Sequence, residues 1–204
     1  MNEKIFSKEV IEFITVAKEY CNLLDNLKEL ETNDFISKIH KIGALLYLKG
    51  SILTLPDEMY EVETDRFVTE EMYASTLISL QKILENKDLN ILTDPYTTDV
   101  EKENEWLYIS EIFTDIYQSL CDFLNTYRTG NEEMMSNALY ESVLDYREWW
   151  GAKLLAALFV IHKLLYTNEY DDIVENNLFG ERDLNTENWF TERRKKDMFG
   201  DDEE

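Results

Sequence analysis

Helix-breaking residues are scarce in this sequence, which contains two prolines and six glycines among 204 residues. The tight turns of β folds depend on these two residue types, so their scarcity leaves long helices as the expected structure. Hydrophobic residues make up 44% of the chain, close to the share in ordinary globular proteins, so such helices have enough apolar surface to pack together. We therefore predict an all-α fold.

Histidine is equally scarce, and the two histidines exclude one common class of helical metalloprotein. Di-iron and di-manganese bundles need a glutamate three residues before a histidine on each of two helices. The positions three residues before His40 and His162 hold Ser37 and Phe159 instead. We predict no cofactor, and the apolar run before His162 predicts a histidine that packs in the core.

Cysteine occurs at two positions, Cys21 and Cys121. Two isolated cysteines on apolar helical stretches are typical of buried small hydrophobic residues, not of a disulfide framework or a metal site. The N-terminal stretch carries Glu3, Glu9 and Glu12 among its apolar residues and contains no apolar segment of the signal-peptide kind. Both features predict a cytoplasmic protein.

Positive charge is also in short supply, with 20 Lys and Arg against 43 Asp and Glu and a net charge of −23. Such a surface repels a phosphate backbone, which excludes ordinary direct binding to nucleic acids and disfavours anionic membranes. The same charge steers basic molecules towards the protein, so a basic protein is the predicted partner. Mimicry of a nucleic acid by the acidic surface is an alternative use of this charge.

No apolar run is long enough to cross a membrane. The most apolar one, Leu154–Ile161, ends at His162 and Lys163, whereas a membrane-spanning helix needs about 20 mostly apolar residues. A helix that is apolar all round must be enclosed by protein or lipid. This run therefore predicts a core helix that the other helices surround.

The spacing of apolar residues predicts five main helices in an antiparallel bundle. They run from Ser7 to Leu30, from Asn33 or Asp34 to Leu53, from a cap at Thr69, from Glu105 to Arg128, and from Asn131 to Tyr166, with loops at 56–68 and 86–104. The inward-facing stripes include Phe6 on the first helix, Ile52 on the second and Trp106 on the fourth. Residues 1–167 form the predicted bundle domain, and residues 168–204 form a short helical or irregular extension with an acidic tail.

The last of these helices is too long for the fold to hold straight. At 1.5 Å per residue it would reach about 54 Å, whereas a globule of this chain length is roughly 43 Å across. We expect a bend at Trp149-Trp150-Gly151, where two bulky residues meet a glycine that tolerates backbone distortion.

Motifs for catalysis are missing, which favours a non-enzymatic role. The sequence has no Gly-x-Ser-x-Gly elbow and no phosphate-binding loop ending in Gly-Lys-Ser/Thr. One alternative remains, since magnesium binds carboxylates alone. Glu111 and Asp115 share one helix face, and Glu141 and Asp145 repeat the spacing. If these helices are antiparallel neighbours, the four side chains predict a magnesium-dependent hydrolase of a nucleotide-like small molecule.

Aromatic residues provide the other candidate site, at Tyr117, Tyr146, Trp149 and Trp150. Aromatic side chains make up 13% of the chain, and tyrosine and tryptophan are enriched at protein interfaces. Packing in the bundle core is the alternative reading of such residues at helical spacing. We favour a non-enzymatic cytoplasmic interaction module whose partner presents Lys or Arg around an apolar anchor.

Four segments of the sequence resemble a family of uncharacterised bacterial helical proteins known only as a domain of unknown function. They are FITVAKEYCNLL, LLYLKGSIL, EIFTDIYQSLCDFLNTYRTG and YREWWGAKLLAALFVIHKLL, and they span about residues 8 to 166. Asp115-x-Tyr117 together with Trp150-Gly151 is the most specific part of the resemblance. The resemblance implies an all-helical fold and a bacterial cytoplasmic origin, and it implies no reaction, ligand or catalytic residue.

Overall fold

Long helices dominate the computed structural model, which describes residues 4–60, 62, 66–92 and 106–167. The all-α prediction is confirmed. The described elements are α1 (Lys8–Asp25), α2 (Thr32–Ile52), α3 (Glu70–Leu84), β1 (Asn90–Leu92), β2 (Trp106–Tyr108), α4 (Ile109–Arg128), α5 (Glu132–Asp145), a π-helical turn (Tyr146–Trp150) and α6 (Gly151–Tyr166). The C-terminal extension predicted at residues 168–204 lies outside the described residues.

Three helices begin at caps that the sequence predicts. The side chains of Ser7, Thr69 and Asn131 each accept a hydrogen bond from a backbone N–H in the first turn of α1, α3 and α5. The first N–H groups of a helix have no acceptor within the helix, so each cap supplies an acceptor to a donor that would otherwise have none in the helix. Gly130, at φ +73°, ends α4 in the left-handed conformation that glycine adopts without strain. The predicted cap of α2 is wrong, because that helix starts at Thr32 after Glu31.

The helices pack as antiparallel neighbours around α4. Helix α1 lies against α2 and α5 lies against α4, as the short connections predict. Helix α4 contacts α1, α3, α5 and α6, and twelve of its twenty residues are buried. The most enclosed helix of the described bundle is thus α4, and the α5–α6 rod packs along α2 and α4.

A two-stranded antiparallel sheet replaces the start of the predicted fourth helix. Leu92 pairs with Trp106 and Asn90 with Tyr108, so Trp106 lies in β2 and is exposed instead of continuing the buried helical stripe. The carboxylate of Asp88 accepts hydrogen bonds from the N–H and the hydroxyl of Ser110, which fixes the first turn of α4 after the strand. Trp106 fits the spacing of the helical stripe, but aromatic residues also favour strands, so this residue alone could not show which element would form.

The long helix is interrupted at the place predicted for a bend, where Tyr146–Trp150 form a π turn. The N–H of Gly151 donates to the carbonyl of Tyr146, five residues back. A Cβ at position 151 would lie 2.4 Å from that carbonyl oxygen, so the turn requires glycine. A π turn of this kind interrupts the regular hydrogen bonds and redirects the helix.

The prediction that α6 is buried on all sides is wrong. Leu154, Leu158 and Ile161 are buried, but Leu155 and Phe159 are exposed. Phe6 and Ile52, placed inward on the basis of their spacing, are exposed as well. No helix in the described part of the chain has both the length and the hydropathy that a bilayer crossing needs.

The two cysteines are buried, as predicted, but they are not isolated from each other. The Sγ atoms of Cys21 on α1 and Cys121 on α4 lie 3.2 Å apart, and both are free thiols. The sequence separation of one hundred residues gave no sign of this contact, because it depends on how α1 and α4 pack.

Candidate interaction surface

Three of the four aromatic site candidates, Tyr146, Trp149 and Trp150, belong to the π turn itself. The rings of Tyr146 and Trp150 meet edge to face with centroids 4.9 Å apart, and Trp150 is fully buried. Trp149 is half-buried, with the Lys153 ammonium 5.1 Å from its ring centroid. A Cβ on Gly50 of α2 would lie 2.6 Å from the Tyr146 ring. These residues therefore join the π turn to α2 as part of the core.

Tyr117, the fourth aromatic candidate, lies elsewhere in the fold. It is buried on α4, and its hydroxyl donates to the carboxylate of Asp25 at the end of α1, at 2.7 Å. Burial and this hydrogen bond raise the pKa of the phenol. Together with the burial of Trp150, this places two of the four candidates where no partner can touch them in the folded bundle.

The first predicted carboxylate pair is used within the fold. Glu111 accepts a hydrogen bond from the N–H of Tyr108 at the start of α4, at 2.7 Å. Asp115 is buried and accepts from the hydroxyl of Tyr73 on α3, at 2.6 Å. Across the described residues, no group of three or more His, Cys, Asp or Glu side chains is arranged to hold a metal ion. The structure thus does not bring the four predicted carboxylates together as a metal site.

The second predicted pair belongs to an acidic cluster between α4 and α5. Asp145 accepts a hydrogen bond from the hydroxyl of Ser119, at 2.7 Å. Partial burial raises the pKa of Asp145 and of Asp122, which had no sequence signal, while the charge of Arg66 lowers both. The pKa of Glu141 is raised in the same direction although its side chain is exposed, so Asp145 and Asp122 are the two that resist ionisation most.

Large apolar side chains are exposed on α2 and α6, two helices that pack against each other. Each of these side chains has between 43% and 64% of its surface exposed. They follow helical spacing on both helices, so each set forms one stripe on its helix surface. We call them the α2–α6 face: Leu45, Leu48 and Ile52 of α2, and Leu155, Phe159 and Tyr166 of α6.

The charge of the helices that form this face is opposite to that of the chain. Together α2 and α6 carry five lysines and one aspartate, whereas α5 carries four acidic residues and no basic one. Among the five, Lys38 and Lys41 on α2 are exposed. Lys49 pairs with Glu12 of α1, and Lys153 is buried. The exposed basic charge of these helices, in a chain of net charge −23, therefore rests on Lys38 and Lys41 of α2.

Both histidines of the chain border this face. The ring centroids of His40 on α2 and His162 on α6 lie 5.5 Å apart, and the ring of Tyr166 packs on both. His162 is exposed, so the prediction of a core histidine is wrong. Partial burial lowers the pKa of His40, and the charges of His162 and Lys41 lower it further.

The sequence of α2 contains a second apolar stripe besides the one that faces the core, and this second stripe corresponds to the α2–α6 face. Lys41, Leu45, Leu48 and Ile52 follow steps of four, three and four, the same spacing as a core-facing stripe. An apolar stripe indicates that another surface packs on it. When one helix has two such stripes and the fold covers only one, the other is available to a partner. The excess of lysine on α2 and α6 was the second signal.

The helix order, the π turn and the packing define an all-α bundle, and comparison with known proteins gives its family. The sequence profile described as a domain of unknown function, DUF5063, matches residues 4–167, and the chain belongs to this family. The resemblance found in the sequence is thereby confirmed.

A solved structure supports the same conclusion. The crystal structure of protein BF1032 from Bacteroides fragilis is similar to this chain, with 33% sequence identity and a TM-score of 0.71. The alignment covers 80% of this chain and 96% of that one. A search of curated proteins gave no match.

Proposed function

We propose that this protein is a non-enzymatic interaction module that binds another protein through the α2–α6 face. The observation that carries the proposal is the exposure of six large apolar side chains on two adjacent helices. Exposed apolar surface bordered by polar residues is a common mark of binding sites on monomeric proteins, and each of the two stripes offers such surface. The lysines and histidines described above form such a border.

The charge around the face supports a partner that carries acidic groups beside apolar ones. Lys38 and Lys41 attract carboxylates, the two histidines can donate hydrogen bonds to them, and the stripes bury apolar side chains. An amphipathic helix with Asp or Glu beside its apolar anchors satisfies both requirements by lying along the face. The basic partner predicted from the net charge stays a prediction, and the acidic helix α5 is where it would bind.

We also propose that the protein works in the cytoplasm. The support is the pair of free thiols at Cys21 and Cys121, whose contact suits a compartment that keeps thiols reduced. The magnesium-dependent hydrolase and the nucleic-acid mimic gain no support from the described residues. The four carboxylates of the first are divided among separate contacts, and the basic charge of α2 and α6 interrupts the acidic surface needed by the second.

A pull-down with matched surface variants tests the proposal. The full chain serves as bait in lysate of its source cell, as the wild type, as Leu48→Glu and as Ile78→Glu. Leu48 and Ile78 are similarly exposed, at 53% and 58%, but Ile78 lies on α3, away from the face. We expect a defined protein to be recovered by the wild type and by Ile78→Glu, and to be lost with Leu48→Glu.

Binding of the recovered protein, once purified, then separates the two partner chemistries. We expect Lys41→Gln to weaken binding, and Glu133→Gln on α5 to leave it unchanged, if the partner is acidic. Leu48→Glu should weaken it by about tenfold or more, which corresponds to about 1.4 kcal/mol. The proposal fails if every recovered protein binds Leu48→Glu as well as the wild type, or if binding depends on Glu133 and not on Lys41.

A further inference from the structure

The thiols of Cys21 and Cys121 lie against each other in the described part of the chain, and binding at the α2–α6 face does not use them. They are the two cysteines of the chain and are one hundred residues apart in the sequence. Their Sγ atoms lie 3.2 Å apart. Both are buried where α1 packs on α4. Neither is needed for the α2–α6 face.

We propose that this pair is a site of oxidative modification, at which hydrogen peroxide forms an intramolecular disulfide that ties α1 to α4. A disulfide requires the sulfur atoms to approach to about 2.05 Å. Closing the remaining gap of about 1 Å needs a side-chain rotation and a small shift of the helices. No other residue of the chain competes as a thiol, so the pairing is unambiguous.

Contacts on either side of the pair hold the two helices in position for this reaction. The Phe13 and Phe123 rings lie 5.5 Å apart on one side. On the other side the hydroxyl of Tyr117 donates to Asp25 at 2.7 Å. The folded state therefore keeps the two thiols next to each other, which gives the second thiol a high effective concentration once the first is oxidised.

The reaction balances with peroxide as the oxidant. One thiol sulfur attacks an oxygen of hydrogen peroxide, the O–O bond breaks, and a sulfenic acid and one water form. The sulfur of the other thiol attacks the sulfenic sulfur, the S–S bond forms, and the hydroxyl leaves with the proton of that thiol as a second water. Two electrons pass from the sulfurs to peroxide, and a dithiol reverses the change by exchange.

The surroundings of the pair make this oxidation slow. The contact with the Cys121 thiol and burial both raise the pKa of the Cys21 thiol. Since the thiolate is the nucleophile, a protonated and buried thiol reacts only when the helices open locally. The pair therefore responds to lasting oxidation and not to a brief pulse, and the finished disulfide is equally protected from reductants.

Intact-mass measurement after alkylation tests the proposal on the full chain. The folded protein is incubated with hydrogen peroxide, the peroxide is removed with catalase, and the chain is unfolded in N-ethylmaleimide. We expect a monomer that has lost two hydrogens and gained no maleimide, whereas the unoxidised chain gains two maleimides. The melting temperature of the oxidised protein should rise by roughly 10 °C, because the cross-link closes a loop of one hundred residues, and dithiothreitol should reverse the rise.

Single-cysteine variants provide the controls. Cys21→Ala and Cys121→Ala should show no peroxide-dependent rise in melting temperature, and the remaining thiol should stay free for maleimide or become a sulfenic acid that dimedone traps. The proposal is overturned if the oxidised wild type still takes up two maleimides, or if its disulfides join separate chains on a non-reducing gel. The wild-type measurement decides the question even if neither variant folds.

Discussion

At the scale of single residues, the position of the Tyr146 ring requires glycine at the two positions that face it, because a Cβ there would clash with the ring. A Cβ on Gly50 would lie 2.6 Å and 2.9 Å from two ring carbons. Because the ring is also held by Trp150 and by Tyr47 of α2, it has little room to move aside. We expect Gly50→Ala to lower the free energy of unfolding by about 1–3 kcal/mol through overpacking, as measured by urea denaturation.

Gly43 is the matched control on the same helix. Its added Cβ would meet the end of the Leu158 side chain at 3.0 Å, an atom that can rotate away. Alanine also favours a helix over glycine by about 1 kcal/mol. Gly43→Ala should therefore be close to neutral, and equal losses at both positions would show that glycine at position 50 has no special role beside Tyr146.

The two adjacent tryptophans differ in what they contribute to stability. Trp150 is fully buried, so Trp150→Ala should cost roughly 3–5 kcal/mol of unfolding free energy through the cavity it leaves. Trp149 is half-buried beside Lys153, and Trp149→Ala should cost clearly less. A loss below about 1 kcal/mol for Trp150→Ala in the same urea titration would contradict its place in the core.

At the scale of helices, the acidic cluster between α4 and α5 makes stability depend on pH. Burial raises the pKa of Asp122, Glu141 and Asp145. A carboxyl whose pKa is higher in the folded state than in the unfolded chain contributes stability that is present below its unfolded pKa and is lost as pH rises through the folded pKa. These three residues should therefore make the melting temperature rise as pH falls from 7 towards 5.

Asp145→Asn isolates this contribution. The amide oxygen can still accept the hydrogen bond of Ser119, but the group no longer ionises. We expect a higher melting temperature than the wild type at pH 7 and a smaller rise on acidification. His40 acts in the opposite direction, because its lowered pKa means that stability is lost as pH falls below about 6.5. His40→Asn in both backgrounds removes that opposing effect from the comparison.

The sequence predicted helices better than it predicted which of their faces are covered. Ser7, Thr69, Asn131 and the bend before Gly151 were predictable because caps and glycine act through their own backbone neighbours. Whether other residues are buried or paired depends on segments that are distant in the sequence. Trp106 lies in a strand because Leu92 pairs with it, and Phe159 is exposed because no described helix covers that side of α6.

The candidate site shows the same limit. The sequence identified Trp150 and Tyr117 as unusual, but their spacing could not tell a core aromatic residue from one at an interface. Leu48 of the α2–α6 face is exposed, yet in the sequence it has the spacing of any leucine on an amphipathic helix. Its exposure follows from the packing of α2 on α1 and α6, which periodicity alone does not determine.

At the scale of the whole molecule, the net charge of −23 opposes compactness through repulsion of like charges. Salt screens this repulsion, so the melting temperature should rise with sodium chloride. Magnesium chloride at the same ionic strength should give no further rise, since the described carboxylates form no group able to hold a metal ion. An additional magnesium shift that disappears in Asp115→Asn and in Asp145→Asn would restore the hydrolase alternative.

The π turn also sets how the two ends of the long helix are oriented about their common axis. Each residue of an α-helix advances the chain by about 100° around that axis, and a π turn holds one residue more than an α turn. Deleting a residue between Tyr146 and Trp150 would restore an unbroken α-helix but turn the side chains of α6 by about 100° relative to α5, so that Leu158 would no longer face Gly43 of α2. The protein would keep its helical content after such a deletion, but the exposed residues of α2 and α6 would no longer have the same relative orientation. The orientation of α6 about the helix axis relative to α5 thus depends on the single extra residue of the π turn.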